Sequence, residues 1–386
     1  MQHSSRIELS QSALKKNIRY LKKQIGESVK FVSVVKGNAY GHGIKEFVPM
    51  AEACGVDYFA VFDAYESEIV VDVKQPKTEI MIMGMIANED ISWAIKHDVS
   101  FFVFEFSRLE HAIKTAKKLK KKVKIHLEVE TGLHRTGFGE NELKKAVRII
   151  KHNLDHISIE GVCTHFAGAE SIANYVRVHN QIDRFNEVKQ WLIKNNIVPK
   201  YYHMASSAAA LIYPETRMNM VRVGIAQYGY WPSDEIKMHN LLSGKLGFTH
   251  NPLKRIMTWK SRVMGIEYVK PGEFVSYGNF FQARKNTKIA TVPVGYFHGY
   301  RRRLSNVGYV LIKGKKAPII GMVNMSVMIA DVTSIPLANK GDEVVLIGKQ
   351  GSQTITVASF SELSNLVNYE LLVRLPMQIP RIVKKS

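Results

Sequence analysis

A lysine, a histidine and two arginines each stand at or just beyond a short apolar run, where a buried strand would end. Lys36 follows Val34-Val35 and opens Gly37-Asn38-Ala39-Tyr40-Gly41-His42-Gly43. Arg135 closes Glu128-Val129-Glu130-Thr131-Gly132-Leu133-His134-Arg135, His165 sits in Thr164-His165-Phe166-Ala167, and Arg222 begins Arg222-Val223-Gly224-Ile225. A lysine charge taken into a strand mouth costs several kcal/mol unless it is paired or deprotonated. The neutral amine is a nucleophile toward carbonyls, the basis of Schiff-base chemistry. Ser206-Ser207-Ala208-Ala209 opens a helix whose backbone N–H groups suit a phosphate. A lysine for an imine together with a phosphate site points to pyridoxal 5′-phosphate (PLP). Each feature alone has an ordinary reading: a surface lysine, a hydrogen-bonded core histidine, a helix cap. One such feature per strand end is what favours the chemical reading.

These residues meet only if one architecture gathers the strand ends. Eight apolar runs occupy 30–35, 57–62, 79–83, 100–104, 123–129, 157–164, 201–204 and 218–223. Amphipathic segments separate most of them. In the first such segment, 11–26, Leu14, Ile18, Leu21 and Ile25 recur at spacings of three and four, which places them on one helical face. Segments 108–120, 140–151 and 172–194 also read as helices. Eight strands with helical crossovers predict a parallel (β/α)8 barrel of the TIM type, whose chemistry lies at the C-terminal strand ends. In such barrels the loops after the last strands often bind phosphate, which is where Gly224 and Ile225 fall. Beyond about residue 245 the pattern changes to short strands at 275–277, 288–294, 309–312, 317–322, 327–332, 343–347 and 354–357, then a helix at about 357–374. The expected fold class is α/β: an N-terminal barrel over 10–243 and a C-terminal mainly-β domain over 244–386, joined by residues 1–9.

Composition narrows the function classes. Hydrophobic residues make up 46% and charged residues 23%, which excludes a disordered or low-complexity chain. The 54 Lys+Arg against 34 Asp+Glu give +20, which admits nucleic acid, an anionic membrane, acidic ligands or simply a lysine-rich surface. The densest run, Lys117-Lys118-Leu119-Lys120-Lys121-Lys122-Val123-Lys124, has no interleaved aromatics for base stacking. It falls at a helix end, where the dipole favours cations, so no nucleic-acid partner is expected. No stretch approaches the roughly 18 apolar residues of a membrane helix, and the first residues do not read as an export signal. Neither membrane nor export is expected, and the cytoplasm is the expected compartment. Cys54 and Cys163 cannot build a disulfide framework, and no metal site is expected.

At the residues above, the sequence resembles the alanine racemase family, PLP-dependent enzymes of fold type III. Val34-Val35-Lys36-Gly37-Asn38-Ala39-Tyr40-Gly41-His42-Gly43 is similar to its PLP-lysine motif, with Gly37 where alanine is usual. Further matches follow in order: Glu130–Arg135, Thr164-His165-Phe166, Met220-Val221-Arg222-Val223-Gly224-Ile225, Val275-Ser276-Tyr277-Gly278, Pro293-Val294-Gly295-Tyr296 and Gly299-Tyr300-Arg301-Arg302-Arg303-Leu304-Ser305-Asn306. The resemblance implies that Lys36 carries PLP and serves as one base, with Tyr277 as the other base on the opposite face of the substrate. In the family that tyrosine reaches the partner subunit's site, so a homodimer with shared active sites is implied. Tyr40, Ser207, Gly224 and Ile225 would hold the phosphate, Arg222 would face the pyridine nitrogen, and His165 would support Arg222 and the ring. Arg135 would approach the cofactor's phenolic oxygen and the substrate, and Met325 would present backbone to the substrate carboxylate. Tyr296, Glu170 and Arg302 match auxiliary positions, the last two at the substrate entry. The implied role is supply of D-alanine for peptidoglycan.

An arginine at the ring nitrogen stays protonated and does not readily give that nitrogen a proton. The layout therefore implies racemisation over decarboxylation, for which related barrels place an acid there. Several positions depart from the family. Glu128 replaces a lysine that many members carry as a carbamate, and a carboxylate there would supply the same charge beside Arg135 directly. Met322 replaces an arginine, Ser326 an aspartate, Phe297-His298 an alanine-aspartate pair, and Met377 a tyrosine lining the substrate pocket. These touch the pocket more than the cofactor contacts, so serine, lysine or ornithine remain as alternative substrates to alanine.

Overall fold

The computed structural model describes residues 3–243, 251–362 and 368–385. Two compact units are formed, one by Ala13–Gly37 and Phe47–Arg255, the other by Met1–Ser12, Asn38–Glu46 and Ile256–Ser386. Among the described residues no helix is long and apolar enough to cross a membrane.

The first unit is an eight-stranded parallel sheet curled into a nearly closed barrel. Its strands are Lys30–Val34, Tyr58–Asp63, Glu79–Met85, Ser100–Val103, Val123–Glu128, Ile157–Cys163, Tyr201–His203 and Met220–Val223. They neighbour one another in chain order, and the last returns beside the first, with Lys30 opposite Met220 and Ser33 opposite Val223. The remaining seam is bridged at Ser206 and Arg222, where the Arg222 N–H donates to the Ala205 carbonyl at 3.0 Å. Every predicted run holds one of these strands within two residues at either end. The strands are legible because both faces are covered: Phe59, Ala60 and Val61 are consecutive and fully buried, as parallel sheets flanked by helices require.

The crossover helices turn one apolar face inward. Gln11–Ile25 buries Leu14, Ile18, Leu21 and Ile25. Glu140–Lys151 buries Leu143, Ala146, Val147 and Ile150, with Glu140 and Glu142 in its first turn and Arg148 and Lys151 in its last, the order the helix dipole favours. Phe106–Leu119 starts with the Glu105 carboxylate accepting from the Arg108 N–H at 2.7 Å and stops at Lys120, whose φ of 52° is left-handed. The expected helix at 172–194 is a short 3-10 turn, Ile172–Asn174, followed by Tyr175–Lys194.

The second unit is mainly β. One sheet runs in the order Lys315–Pro318, Tyr309–Ile312, Glu343–Gln350, Met257–Arg262, Ser5–Ser10, Arg381–Lys384, with Gln353–Ile355 paired to Glu343–Gln350. A second sheet joins Gly265–Val269, Thr287–Val292 and Met328–Asp331. Three expectations are corrected. Residues 275–277 are a turn, not a strand, because Ser276 and Gly278 take φ of 68° and 66°. The strand expected at 317–322 is Lys315–Pro318, after which Ile319 makes only a single bridge to Ala330. The helix expected at 357–374 is two short ones, Val357–Glu362 and Asn368–Val373, and the expected residues between them lie outside the described ones.

Candidate active site

Lys36 stands where the first barrel strand ends, and that end is clamped. The Val34 carbonyl accepts from Gln227 Nε2 at 3.1 Å and from the Tyr228 hydroxyl at 2.9 Å, while Ser33 Oγ donates to Gln227 Oε1 at 2.8 Å. The Lys36 side chain is exposed by surface area, yet the protein around its amine still lowers its pKa. Desolvation is the main cause, the Arg135 charge adds to it, Glu66 opposes it and Arg222 adds a smaller push. The amine is therefore easier to obtain neutral than an ordinary lysine.

Beyond Lys36 the backbone reverses hand. Gly37, Asn38, Ala39 and Tyr40 have φ of 64°, 53°, 54° and 52°, a full left-handed turn built mostly from residues other than glycine. Each such residue costs roughly 1–2 kcal/mol, so the surroundings must impose the turn. In the second unit, Gly43 N–H donates to the Asn38 carbonyl at 2.9 Å and Ile44 N–H to Asn38 Oδ1 at 3.0 Å. His42 Nδ1 donates to the Ala39 and Tyr40 carbonyls at 2.9 and 3.0 Å. The buried Arg381 guanidinium donates to the Gly41 carbonyl at 2.9 Å and to the Pro376, Met377 and Ile379 carbonyls at 2.7, 3.0 and 2.6 Å. Tyr40 is thus presented by a rigid loop, its ring edge-on to Tyr369 at 6.4 Å.

Arg222, on the last barrel strand, is buried and donates to the Thr164, His203 and Met204 carbonyls at 2.8, 3.0 and 3.3 Å. Its Nη2 lies 3.5 Å from His165 Nδ1. Burial and the charges of Arg222, Arg135 and Lys36 push the His165 imidazole down to about 3, so it is neutral near pH 7. Ser207 begins the helix Ser207–Ile212, and its hydroxyl accepts from the Gly224 N–H at 2.8 Å. Ile225 begins the short turn Ile225–Tyr228 immediately after. The barrel unit therefore brings Lys36, Arg222, His165, Ser207, Gly224 and Ile225 to C-terminal strand ends, as expected from the sequence.

Glu128 ends the fifth strand, and Arg135 lies in the loop that follows. The Glu130 carboxylate ties that loop by accepting from the Gly132 and His134 N–H groups, the latter at 2.8 Å. Gly137 has φ of 120°, and a Cβ there would lie 2.6 Å from the Glu130 nitrogen, so only glycine closes the loop. Arg135 is exposed. Glu128 is buried, its pKa is raised chiefly by desolvation, and its Oε2 has no hydrogen-bond partner. Arg222 and Arg135 each act electrostatically to lower that pKa, but among the described residues Glu128 makes no ion pair within 4.0 Å. Glu170 is exposed on the loop after the sixth strand.

Three contributors escape a reading of strand ends. Glu66, in the helix Ala64–Val73, acts electrostatically to raise the Lys36 pKa. Gln227 clamps the end of the first strand. Gln181, buried in the long helix Tyr175–Lys194, stitches two catalytic-face loops together: Oε1 accepts from Ala167 N–H at 2.8 Å, and Nε2 donates to the His165 carbonyl at 3.0 Å and to Thr131 Oγ1 at 3.2 Å. A glutamine in the middle of a helix's apolar face was the available signal for Gln181.

In the second unit the candidates gather round the segment 322–325. Tyr277 is 72% exposed on its turn, and neighbouring Ser276 Oγ donates to the Met322 carbonyl at 2.9 Å. Tyr296 N–H donates to the Asn324 carbonyl at 3.0 Å and Phe297 N–H to the Met325 carbonyl at 2.9 Å. A Cβ on Gly295 would lie 2.1 Å from the Asn324 oxygen, so this close approach demands glycine. Arg302 Nη2 lies 2.8 Å from Met322 Sδ. Tyr277, Tyr296, Met325 and Met377 all present exposed side chains.

Comparison with known proteins bears on the family and the fold. Family models described as the N-terminal and C-terminal domains of alanine racemase match residues 9–232 and 256–383. The chain is 34% identical to an alanine racemase of Leptospira interrogans, over 99% of this chain and 96% of the relative. It is 33% identical to an alanine racemase of Methanococcus maripaludis, over 97% of each. Among solved structures it resembles the Bacillus anthracis alanine racemase with bound L-Ala-P, with a TM-score of 0.89 and 30% identity, covering 100% of this chain and 96% of the other.

Proposed function

The chain belongs to the alanine racemase family, and on that premise we propose that it is an isomerase that interconverts L- and D-alanine with PLP held at Lys36. The observation that carries the reading is the barrel mouth, where an amine of lowered pKa shares a field with Arg135 and Arg222. The residues present fit the cofactor. Lys36 offers an accessible amine, Ser207 and Gly224 are already joined at the ends of the last two strands, and Arg222 is a donor fixed by three carbonyls. When bound, PLP supplies an electron sink for the substrate's α-carbon.

The chain's own groups do the rest. Inverting an α-carbon requires a proton to leave one face and another to arrive at the opposite face. Lys36 Nζ serves one face, and the Tyr277 hydroxyl of a second copy serves the other. Tyr277 is bare in the single chain, which supports a homodimer in which each copy completes the other's site. Arg222 would donate to the ring nitrogen and, being permanently protonated, would withhold a proton from it. His165 lies beside Arg222 and would support the ring. Tyr40, Ser207, Gly224 and Ile225 would hold the phosphate, while Arg135 and the Met325 backbone would receive the substrate. Glu128 supplies carboxyl character beneath Arg135. Tyr296, Glu170 and Arg302 line the approach. We assign the product, D-alanine, to peptidoglycan supply in the cytoplasm.

The test is a chiral assay of purified protein supplied with PLP, run on alanine, serine, lysine and ornithine. L-to-D conversion fastest for alanine, and lost in Lys36→Ala, is the expected result. Undiminished conversion by Lys36→Ala would sink the assignment.

A further inference from the structure

The interior of the barrel carries a polar chain that the proposed chemistry does not use. Arg222 Nη1 hydrogen-bonds His203 Nδ1. His203 Nε2 lies 2.9 Å from His126 Nδ1. His126 Nε2 lies 3.2 Å from both the Tyr58 hydroxyl and Ser100 Oγ, which are themselves 3.2 Å apart. Ser100 Oγ ends the chain by donating to the Ile80 carbonyl at 3.0 Å. The five side chains come from five different strands, and none is more than 5% exposed.

The direction of every bond is forced. A guanidinium has only donors and a carbonyl only accepts. His203 Nδ1 must therefore accept, which leaves its proton on Nε2. That proton is donated to His126 Nδ1, so His126 also carries its proton on Nε2 and donates it to the Tyr58–Ser100 pair. Protonating either ring fully would set two donors face to face. Burial and the Arg222 charge act the same way, holding His126 down to about 3 and His203 well below the usual imidazole range. Other groups that act electrostatically on the chain are Lys200 on His126, and Glu79, Glu160 and Tyr201 on Tyr58. Burying such a network has no packing advantage over apolar residues, and a half-satisfied network is worse than none.

We infer that His203 and His126 are positioning residues for Arg222, forming a tautomer-locked relay that keeps an acceptor permanently against Nη1 and so fixes the rotation of the guanidinium. The three carbonyls on Arg222 cannot change protonation, whereas His203 Nδ1 can, so the relay decides whether Nη1 keeps a side-chain acceptor beside the His203 carbonyl. Arg222 sets the tautomers, and the far end supplies the acceptors that complete them. If His126 moved its proton to Nδ1, His203 would have to accept at Nε2 and present an N–H to Arg222, which would displace the guanidinium. The catalytic consequence rests on Arg222 serving the cofactor's ring nitrogen; the tautomers do not.

The test uses histidine-selective and arginine-selective ¹⁵N NMR on the purified holoprotein. In the native protein both rings should show a protonated Nε2 and a bare Nδ1, unchanged from about pH 5.5 to 9. The double variant Tyr58→Phe/Ser100→Ala removes both oxygen acceptors of His126 while leaving Arg222 and both histidines intact. The His126 Nε2–H then has no acceptor while Arg222 still holds His203 Nδ1 bare, so the His126 ring should lose its fixed position, its Nε2 and the Arg222 guanidinium signals should shift, and kcat for alanine should fall roughly three- to thirty-fold with KM little changed. Tyr58→Phe alone keeps the Ser100 acceptor and should keep the native signals. Native rings that titrate in that range, or that carry Nδ1–H, overturn the relay without any variant. A double variant whose guanidinium signals and kcat are both untouched overturns the positioning role. Failure of the native protein to racemise alanine would instead fail the proposed function, and the native spectra would still decide the relay.

Discussion

The two units hold their candidate residues differently: the barrel unit buries several of its own, although Lys36, Arg135 and Glu170 are exposed, while the β unit exposes most of its own. In the barrel unit, Arg222, Ser207 and Glu128 are buried, and His165 is mostly enclosed beside Arg222. In the β unit, Tyr277, Tyr296 and Met325 are 72%, 44% and 59% exposed, and what is fixed is their backbone, pinned round 322–325. Burial locks a side chain by making every alternative orientation leave a polar group unsatisfied. A pinned backbone only aims a side chain and leaves its partner to come from elsewhere. Arg222, Ser207 and Glu128 are therefore preorganised within the barrel unit, while Tyr277, Tyr296 and Met325 are aimed but left uncovered in the single chain.

The contrast is tested most severely at the two proposed bases. Lys36→Ala should lower racemisation by about a thousand-fold or more, read by chiral chromatography. Tyr277→Phe should lower it by about a hundred-fold and impair exchange of the α-proton in one direction far more than the other. Because Tyr277 is exposed, that variant should leave the urea midpoint within error of native; a clear loss of stability would break the comparison. Gln181→Leu addresses the buried half away from the chemistry. It strips two loops of their shared partner and should cost about 2 kcal/mol of stability, read by urea unfolding, with a smaller loss of kcat through the His165 loop.

Acid gives the most general test. His126 and His165 are held near 3 in the folded chain, and His203 is depressed as well. Their folded pKa values lie below the unfolded value of about 6.5. Their neutral burial therefore supports the fold above that value and loses support as pH falls toward 3, by up to about 1.4 kcal/mol per pH unit for each ring. A urea midpoint that holds flat between pH 6.5 and 4 would contradict this burial.

Legibility followed the same division. The barrel strands could be read because runs such as 58–61 are apolar on both faces, and the site residues at their ends inherit that clarity. The β unit blurred at its edges. Gly265–Val269 has no fully buried residue, and Arg381–Lys384 buries only its first, so neither offered an alternating pattern. Val275-Ser276-Tyr277 alternates like a strand, but Ser276 and Gly278 turn the backbone left-handed. Tyr277 carried no signal of its own and was found through motif resemblance. His126 and His203 were visible as polar residues inside apolar runs, but only three-dimensional adjacency shows that they form one chain. A carboxyl paired beside Arg135 was expected at Glu128, and among the described residues Glu128 makes no ion pair.

The left-handed turn after Lys36 has a stereochemical reading. Its φ values near 53° at Asn38, Ala39 and Tyr40 are those that residues of D configuration prefer. For three consecutive positions the chain follows the mirror image of the path its own building blocks favour. At Ala39 a D-alanine introduced by chemical ligation would adopt the observed backbone with less strain than the L-alanine that stands there. A protein proposed to make D-alanine thus contains, directly beside its own lysine base, a segment that its product would suit better than its substrate does.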